Sequence, residues 1–100
     1  MTIVEAGEIR AKVKEIATAT LKGERVDDVL VEPDFDQLDR DALRITIVLK
    51  DRKNLKIEGE ANVSIIVATS DFLLSKGDER FPYTRFVTTK ELADLNASDD

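Results

Sequence analysis

Acidic residues are concentrated in one segment, which is the first place to look for metal or acid–base chemistry. Eight carboxylates and two arginines lie between positions 24 and 41, namely Glu24, Asp27, Asp28, Glu32, Asp34, Asp36, Asp39, Asp41, Arg25 and Arg40. The run Asp34-Phe35-Asp36 begins like a calcium loop, which also needs an oxygen ligand at position five, then a glycine, and a glutamate at position twelve. Position five is Leu38, no glycine follows, and position twelve is Ile45. We therefore predict a solvated hairpin loop and no metal site.

Two residue types that dominate enzyme sites are missing from the chain. It contains no histidine and no cysteine, which removes the commonest general base, thiol nucleophiles and most zinc and iron–sulfur ligand sets. Its four glycines stand apart, so no phosphate-binding loop is present. A hydrolase that uses carboxylates and a metal is the remaining enzyme class. We predict no cofactor, and the composition favours a protein without catalytic activity.

A second charged group, Asp78-Glu79-Arg80, directly follows Gly77. An acid held beside a cation is one interpretation of this group. The prediction we prefer is a polar turn with ion pairs at the surface, which contribute little to stability.

Charge and hydropathy limit the classes of partner. The 100 residues carry 15 basic and 21 acidic side chains, a net charge of −6, which disfavours binding to phosphates and suits a basic partner protein. The longest apolar run is the four residues Ile65–Ala68, far short of the ~20 that span a membrane. The first residues lack the pattern of a secretory signal. We expect a cytoplasmic protein with no membrane contact.

Two segments repeat apolar residues at the spacing of a helix. The pattern predicts a helix over Ile3–Lys22, with Gly23 placed to end it. The segment after residue 54 fits both a helical and an alternating pattern. Because a strand of some 20 residues would be far above the usual length, we predict a helix over Ile57–Lys76. The alternative is a third strand over Leu55–Val67, followed by a short helix.

Three segments have the alternation and residue types of strands, namely Val26–Asp36, Ala42–Lys50 and Arg80–Thr88. A short polar loop joins the first two, which predicts an antiparallel hairpin, and a turn is expected at Asp51–Asn54. Thr88 and Glu91 have the spacing of a capping box. They predict a short terminal helix that carries Leu92 and Leu95.

These elements predict a single domain over residues 1–95 with a frayed tail at 96–100. The expected fold class is α+β. It is a two-layer sandwich in the order helix, strand, strand, helix, strand, with two helices on one face of a three-stranded, mainly antiparallel sheet and a short C-terminal helix.

The last strand has aromatic residues on both faces, because Phe81 and Phe86 are separated by an odd number of positions. If the face of Phe81 and Tyr83 packs under the helices, Phe86 joins Leu30 and Val48 on the open side of the sheet. We hypothesise that Leu30, Val48 and Phe86 form an exposed apolar patch for self-association or for a protein partner. The alternative is that the terminal helix or a loop covers them.

An RNA-binding module is the second class of function. Basic and aromatic residues are interleaved near the end of the chain, at Lys76, Arg80, Phe81, Tyr83, Arg85 and Phe86. Aromatic rings on a sheet can stack on bases while basic groups contact phosphates. The order of elements is similar to that of some KH-type RNA-binding domains, but the GXXG loop with which those domains hold the RNA backbone is missing here.

The sequence therefore favours a small acidic protein-interaction module without catalytic activity, which self-associates or regulates a basic partner protein through the open face of its sheet. An RNA-binding module of KH-like topology is the alternative, followed by a carboxylate and metal hydrolase.

Overall fold

The computed structural model describes residues 3–21, 26–50 and 58–97 of the chain. These residues form three helices and a three-stranded sheet in the order α1 (Ala6–Leu21), β1 (Val26–Phe35), β2 (Asp41–Leu49), α2 (Glu58–Ser75), β3 (Phe81–Thr88) and α3 (Thr89–Ala97). The predicted α+β fold and its element order are confirmed. The described part of the segment with two competing patterns, residues 58–75, is helical, so the alternative third strand over Leu55–Val67 is wrong.

The sheet has the strand order β1-β2-β3 and is mixed. β1 and β2 form the predicted antiparallel hairpin, and β3 runs parallel to β2. The parallel pair follows from the connection: α2 returns the chain to the edge at which β2 began, as a crossover requires. Two predicted features, the helix cap at Gly23 and the turn at Asp51–Asn54, lie outside the described residues.

The core lies between one face of the sheet and the two long helices. α1 and α2 each bury one stripe of apolar residues, as the helical spacing predicts. The buried cluster comprises Val4, Ile9, Val13, Ala17, Leu21, Val26, Val29, Leu43, Ile45, Ile47, Leu49, Ala61, Ile65 and Leu73. The alternate positions of β2 point away from the helices, and we call that side of the sheet the open face.

The orientation of β3 is fixed by contacts on both of its sides. Towards the helices, Thr84 donates a hydrogen bond to Asn62 of α2, and Phe86 packs against the core cluster. Towards the open face, the Nε of Arg85 donates to the hydroxyl of Thr46 over 3.0 Å. Phe81, Tyr83 and Val87 alternate with the inward residues and therefore lie on the open face.

Helix α3 begins with the predicted capping box. The backbone N–H of Glu91 donates to the hydroxyl of Thr88 over 3.0 Å, and the N–H of Thr88 donates to the Glu91 carboxylate over 3.1 Å. The helix continues to Ala97 and packs against β2 and β3. Val48 and Val87 on the open face are buried, so one end of this face is covered. No helix in the described ranges is long and apolar enough to cross a membrane.

Candidate functional site

The structure does not bring together the three residues of the predicted patch. Leu30 and Val48 lie on the open face, where Leu30 is partly exposed and Val48 is buried. Phe86 lies on the opposite face and packs against the core. The premise that Phe81 and Tyr83 pack under the helices is therefore wrong, because the last strand has the reverse orientation. The apolar residues that the open face exposes are a different set.

Phe81 and Tyr83 form an exposed aromatic pair at the end of the open face that α3 leaves uncovered. Their side chains are 45% and 47% exposed. The ring centroids are 4.7 Å apart with an interplanar angle of 56°, a tilted geometry that aromatic pairs prefer. Both rings stand on one strand at positions i and i+2, so the backbone fixes their spacing.

The hairpin between β1 and β2 adds two further exposed apolar residues near Tyr83, of which Phe35 lies in register with Asp41, on the helix side of the sheet. Phe35, at the end of β1, is 66% exposed, and Leu38, in the loop, is 71% exposed. Together with Tyr83 they line an open cleft of about 390 Å³, whose other lining residues are Asp34, Asp36, Gln37 and Arg40. We call Phe35, Leu38, Phe81 and Tyr83 the aromatic surface, and the space between the loop and Tyr83 the hairpin cleft.

The hairpin loop is held by the carboxylate of Asp36. One of its oxygens accepts the backbone N–H groups of Leu38 and Arg40 over 2.8 and 2.9 Å, and the other accepts the Nε of Arg40 over 2.8 Å. The loop backbone closes with a bond of 3.0 Å from the N–H of Asp39 to the carbonyl of Asp36. Asp39 has a φ of 59°, a left-handed conformation that Asp tolerates better than most residues. These bonds fix the direction in which Leu38 projects.

Both carboxylates in the cleft are held in their charged form. The backbone N–H of Phe35 and the guanidinium of Arg44 lower the pKa of Asp34. The N–H of Arg40 has the largest effect on Asp36, and its pKa is also lowered. The Nη2 atom of Arg44 lies 3.1 Å from Oδ2 of Asp34, and its Nη1 atom lies 3.8 Å from Oε2 of Glu32. The cleft is therefore lined by apolar residues and by two ionised carboxylates, each of which is paired with an arginine of the chain.

A second carboxylate–arginine pair lies in the interior, at the connection between α2 and β3. Helix α2 ends in a Schellman motif, in which Gly77, with a φ of 82°, donates to the carbonyl of Leu74, and Asp78 donates to that of Leu73. This motif turns the Asp78 side chain inward, where it is 0% exposed. The prediction of surface ion pairs is therefore wrong for Asp78 and Arg80.

Asp78 and Arg80 bind the backbone of the N-terminal segment. Asp78 accepts the N–H of Val4 over 3.0 Å, and Arg80 donates to the carbonyl of Val4 over 3.1 Å. The two side chains also pair with each other at 2.7 Å. Burial by itself would raise the pKa of Asp78, but the hydrogen bonds from Arg80 and from the backbone of Val4 outweigh it and lower the pKa to about 2. Within the described residues, the hydrogen bonds of the Asp78 carboxylate all come from Arg80 and from the backbone of Val4, so this carboxylate has a structural role.

Of the six residues behind the RNA-binding alternative, three remain together on the open face, namely Phe81, Tyr83 and Arg85. Arg80 is buried in its pair with Asp78, and Phe86 packs under the helices. Lys76 lies 3.9 Å from a carboxylate oxygen of Glu8.

Within the described residues, no three side chains of the metal-binding types are grouped as a site for a metal ion.

The aromatic surface was missed by sequence reasoning, although one signal could have found it. Arg85 shares a face of β3 with Phe81 and Tyr83, and a charged side chain in the middle of a strand rarely faces a core. That residue alone favours the observed orientation. The exposure of Phe35 and Leu38 has no such signal, because it depends on how far the hairpin extends beyond the helices.

Comparisons of the chain with protein-family models, curated proteins and solved structures find no match.

Proposed function

We propose that the chain is a small, acidic, cytoplasmic protein-interaction module without catalytic activity, and that it binds a basic partner protein through the aromatic surface. The observation that carries this proposal is the exposed ring pair of Phe81 and Tyr83, with Phe35 and Leu38 exposed on the hairpin beside Tyr83. Clustered exposed apolar side chains mark interaction sites, whereas isolated ones need no explanation. Tyr and Phe are also enriched in protein interfaces.

The rigidity of this surface supports binding. Phe81 and Tyr83 stand on a strand, and the Asp36 bonds hold the loop that carries Leu38. A surface that is already ordered loses less conformational entropy when a partner binds. More of the free energy gained by burying these side chains therefore contributes to the affinity.

The charge around the surface supports a basic partner. Residues 26–50 contain seven acidic and three basic side chains, namely Asp27, Asp28, Glu32, Asp34, Asp36, Asp39, Asp41, Arg40, Arg44 and Lys50. Complementary charge around an apolar centre accelerates association and selects the partner. The same charge disfavours pairing with a second copy of the chain, because like charges would face each other.

RNA binding is the second candidate, and the observation that favours it is the ring pair beside Arg85. Two exposed rings on one strand have the form of a stacking platform for bases. The carboxylates of Glu32 and Asp34, which lie next to Arg44 on the same face, would repel phosphates. We therefore prefer a protein partner.

The test compares two double variants, each of which removes a pair of roughly half-exposed apolar side chains. Phe81→Ser/Tyr83→Ser disrupts the aromatic surface, and Val67→Ser/Leu74→Ser alters the outer side of α2, where both residues are more than half exposed. Each protein is immobilised, proteins from an extract of the source cells are captured, and the captured protein is then purified and titrated against each variant. We expect at least a tenfold loss of affinity for the first variant and none for the second.

Three results would overturn the proposal. Equal affinity of both variants for the captured protein would place binding elsewhere on the molecule. Capture that is lost after ribonuclease treatment, with a strongly salt-dependent gel shift on mixed RNA, would favour the second candidate. A wild-type protein that sediments as a dimer, and a Phe81→Ser/Tyr83→Ser variant that sediments as a monomer, would identify a second copy as the partner.

A further inference from the structure

Strand β1 lies at one edge of the sheet, where, within the described residues, it pairs with β2 alone. An edge strand directs every second pair of backbone N–H and C=O groups away from the sheet, and another strand can bind to them. β1 has ten residues, more than either of the other two strands. A long edge of this kind is a natural place for a second copy of the chain to add its own edge strand.

The hairpin shows which residues of β1 direct their backbone groups outward. The N–H of Asp36 donates to the carbonyl of Arg40 across the hairpin over 3.0 Å, so position 36 bonds towards β2. The register is regular from position 28 to position 35, and antiparallel strands alternate between bonded and non-bonded pairs. Positions 28, 30, 32 and 34 therefore also bond towards β2, and positions 29, 31, 33 and 35 face the free edge.

Three of these four outward positions have no N–H to offer. The N–H of Val29 donates to Oδ1 of Asp28 over 2.8 Å, and the N–H of Phe35 donates to Oδ1 of Asp34 over 2.8 Å. Pro33 has no backbone N–H at all. An incoming strand would therefore find its hydrogen-bond donors withdrawn on both sides of position 31.

The two carboxylates are held at the edge by arginines from neighbouring elements. Arg10 of α1 lies 2.6 Å from Asp28, and Arg44 of β2 lies 3.1 Å from Asp34. Hydrogen bonds from Arg10 and from the N–H of Val29 lower the pKa of Asp28, so this carboxylate stays charged and keeps its bond to the backbone.

We propose that Asp28, Pro33 and Asp34 close the edge of β1 to strand pairing and so prevent a second copy of the chain from adding its own β1 there. The inference goes beyond the proposed function, because it concerns the backbone edge of β1 and holds whatever the aromatic surface binds. It also means that a partner can bind this side of the molecule through side chains but not by extending the sheet.

The test opens the edge with the double variant Pro33→Thr/Asp34→Ala. The change at position 33 supplies an N–H, and the change at position 34 releases the N–H of Phe35, so positions 31, 33 and 35 could all pair with a second copy. The Arg10–Asp28 pair is left intact. Sedimentation equilibrium should show self-association at least roughly tenfold tighter than in the wild type, because several backbone hydrogen bonds form together. The amides of Val31 and Phe35 should gain protection from hydrogen exchange as the concentration rises.

Glu32→Gln is the matched control, because it removes one charge from the same strand at an exposed position that bonds towards β2. It should change self-association little. Adding Asp28→Ala to the double variant opens the fourth position and should tighten self-association further. The single variant Pro33→Thr, at an exposed position, decides the question in the same way if either larger change unfolds the chain.

Three results would overturn the inference. A folded double variant that sediments like the wild type would show that the edge is not closed by these groups. Equal self-association of Glu32→Gln would show that charge alone keeps the copies apart. Self-association without new protection at Val31 and Phe35 would place the contact elsewhere on the molecule.

Discussion

Asp36 and Asp78 hold an arginine in nearly the same way, one at the surface and one in the interior. Each accepts backbone N–H groups and the side chain of an arginine a few residues further on, at 2.8 Å for Arg40 and 2.7 Å for Arg80. The difference lies in the arginines: the Arg40 side chain is 72% exposed and that of Arg80 only 10%, whereas both carboxylates are largely buried, at 9% for Asp36 and 0% for Asp78. The difference in burial separates their roles, because solvent screens the first pair and leaves the second dependent on its partners.

The comparison assigns stability to one pair and surface shape to the other. Asp78 and Arg80 join the start of the chain to the connection between α2 and β3 through Val4. Asp36 and Arg40 bind only their own loop. We therefore expect changes at the first pair to affect the free energy of unfolding, and changes at the second to affect the local order of the hairpin loop.

The largest effect is expected from Asp78→Asn. Removing one charge leaves Arg80 buried without its counterion, which costs about 3 kcal/mol in comparable buried pairs. Urea denaturation measures the loss, and Asp36→Asn is the matched control, with a much smaller expected change. In the double variant Asp78→Asn/Arg80→Met, the combined loss should be less than the sum of the two single losses. Strict additivity would contradict a coupled pair.

A pH titration tests the same pair without mutation. The pKa of Asp78 is about 2 in the fold, below its ordinary value of 3.8, so the folded state favours the charged form. The stabilisation is therefore complete above about pH 5 and is lost progressively as the pH falls through about 2, amounting to about 2 kcal/mol. The difference in unfolding free energy between wild type and Asp78→Asn should shrink over this range. A difference that stays constant would show that the charge of Asp78 is not the cause.

The sequence predicts one of these two pairs better than the other. The polar loop at 36–41 is evident from composition, and the hairpin follows from two alternating segments joined by it. The burial of Asp78 depends on Val4, which is 74 positions away in the chain. No local pattern contains that contact, and charged residues are usually exposed, so local reasoning favours the wrong environment.

The helices, strands and caps were predictable because they depend on local sequence. Helix α1, the β1–β2 hairpin, the capping box at Thr88 and the end of α2 at Gly77 all depend on residues close in sequence. The face of β3 that packs under the helices depends on tertiary contacts, such as the one between Thr84 and Asn62. The wrong choice of face put Phe86 on the open side of the sheet, where Phe81 and Tyr83 lie instead. The predicted patch therefore contained the wrong aromatic residue.

Thr69 provides a third case, a buried polar group without a partner. Its hydroxyl is fully buried and has no hydrogen bond within the described part of the chain. Thr69→Val keeps the shape and removes the unsatisfied group, so the free energy of unfolding should rise by about 1 kcal/mol. Thr46→Val is the matched control, because the Thr46 hydroxyl accepts from Arg85 and its removal should destabilise. Equal effects in the two variants would show that hydrogen bonding does not distinguish these sites.

The smallest effect on global stability is expected from Asp36→Ala, which tests the surface member of the comparison. It removes the acceptor for the N–H groups of Leu38 and Arg40, so hydrogen exchange at these two amides should become fast while exchange in the core is unchanged. Asp39→Asn is the control, because Asn also tolerates the left-handed backbone at this position. If Asp36→Ala lowered the free energy of unfolding as much as Asp78→Asn, burial would not separate the two pairs. With only the loop released, Leu38 loses its fixed direction while the chain remains folded.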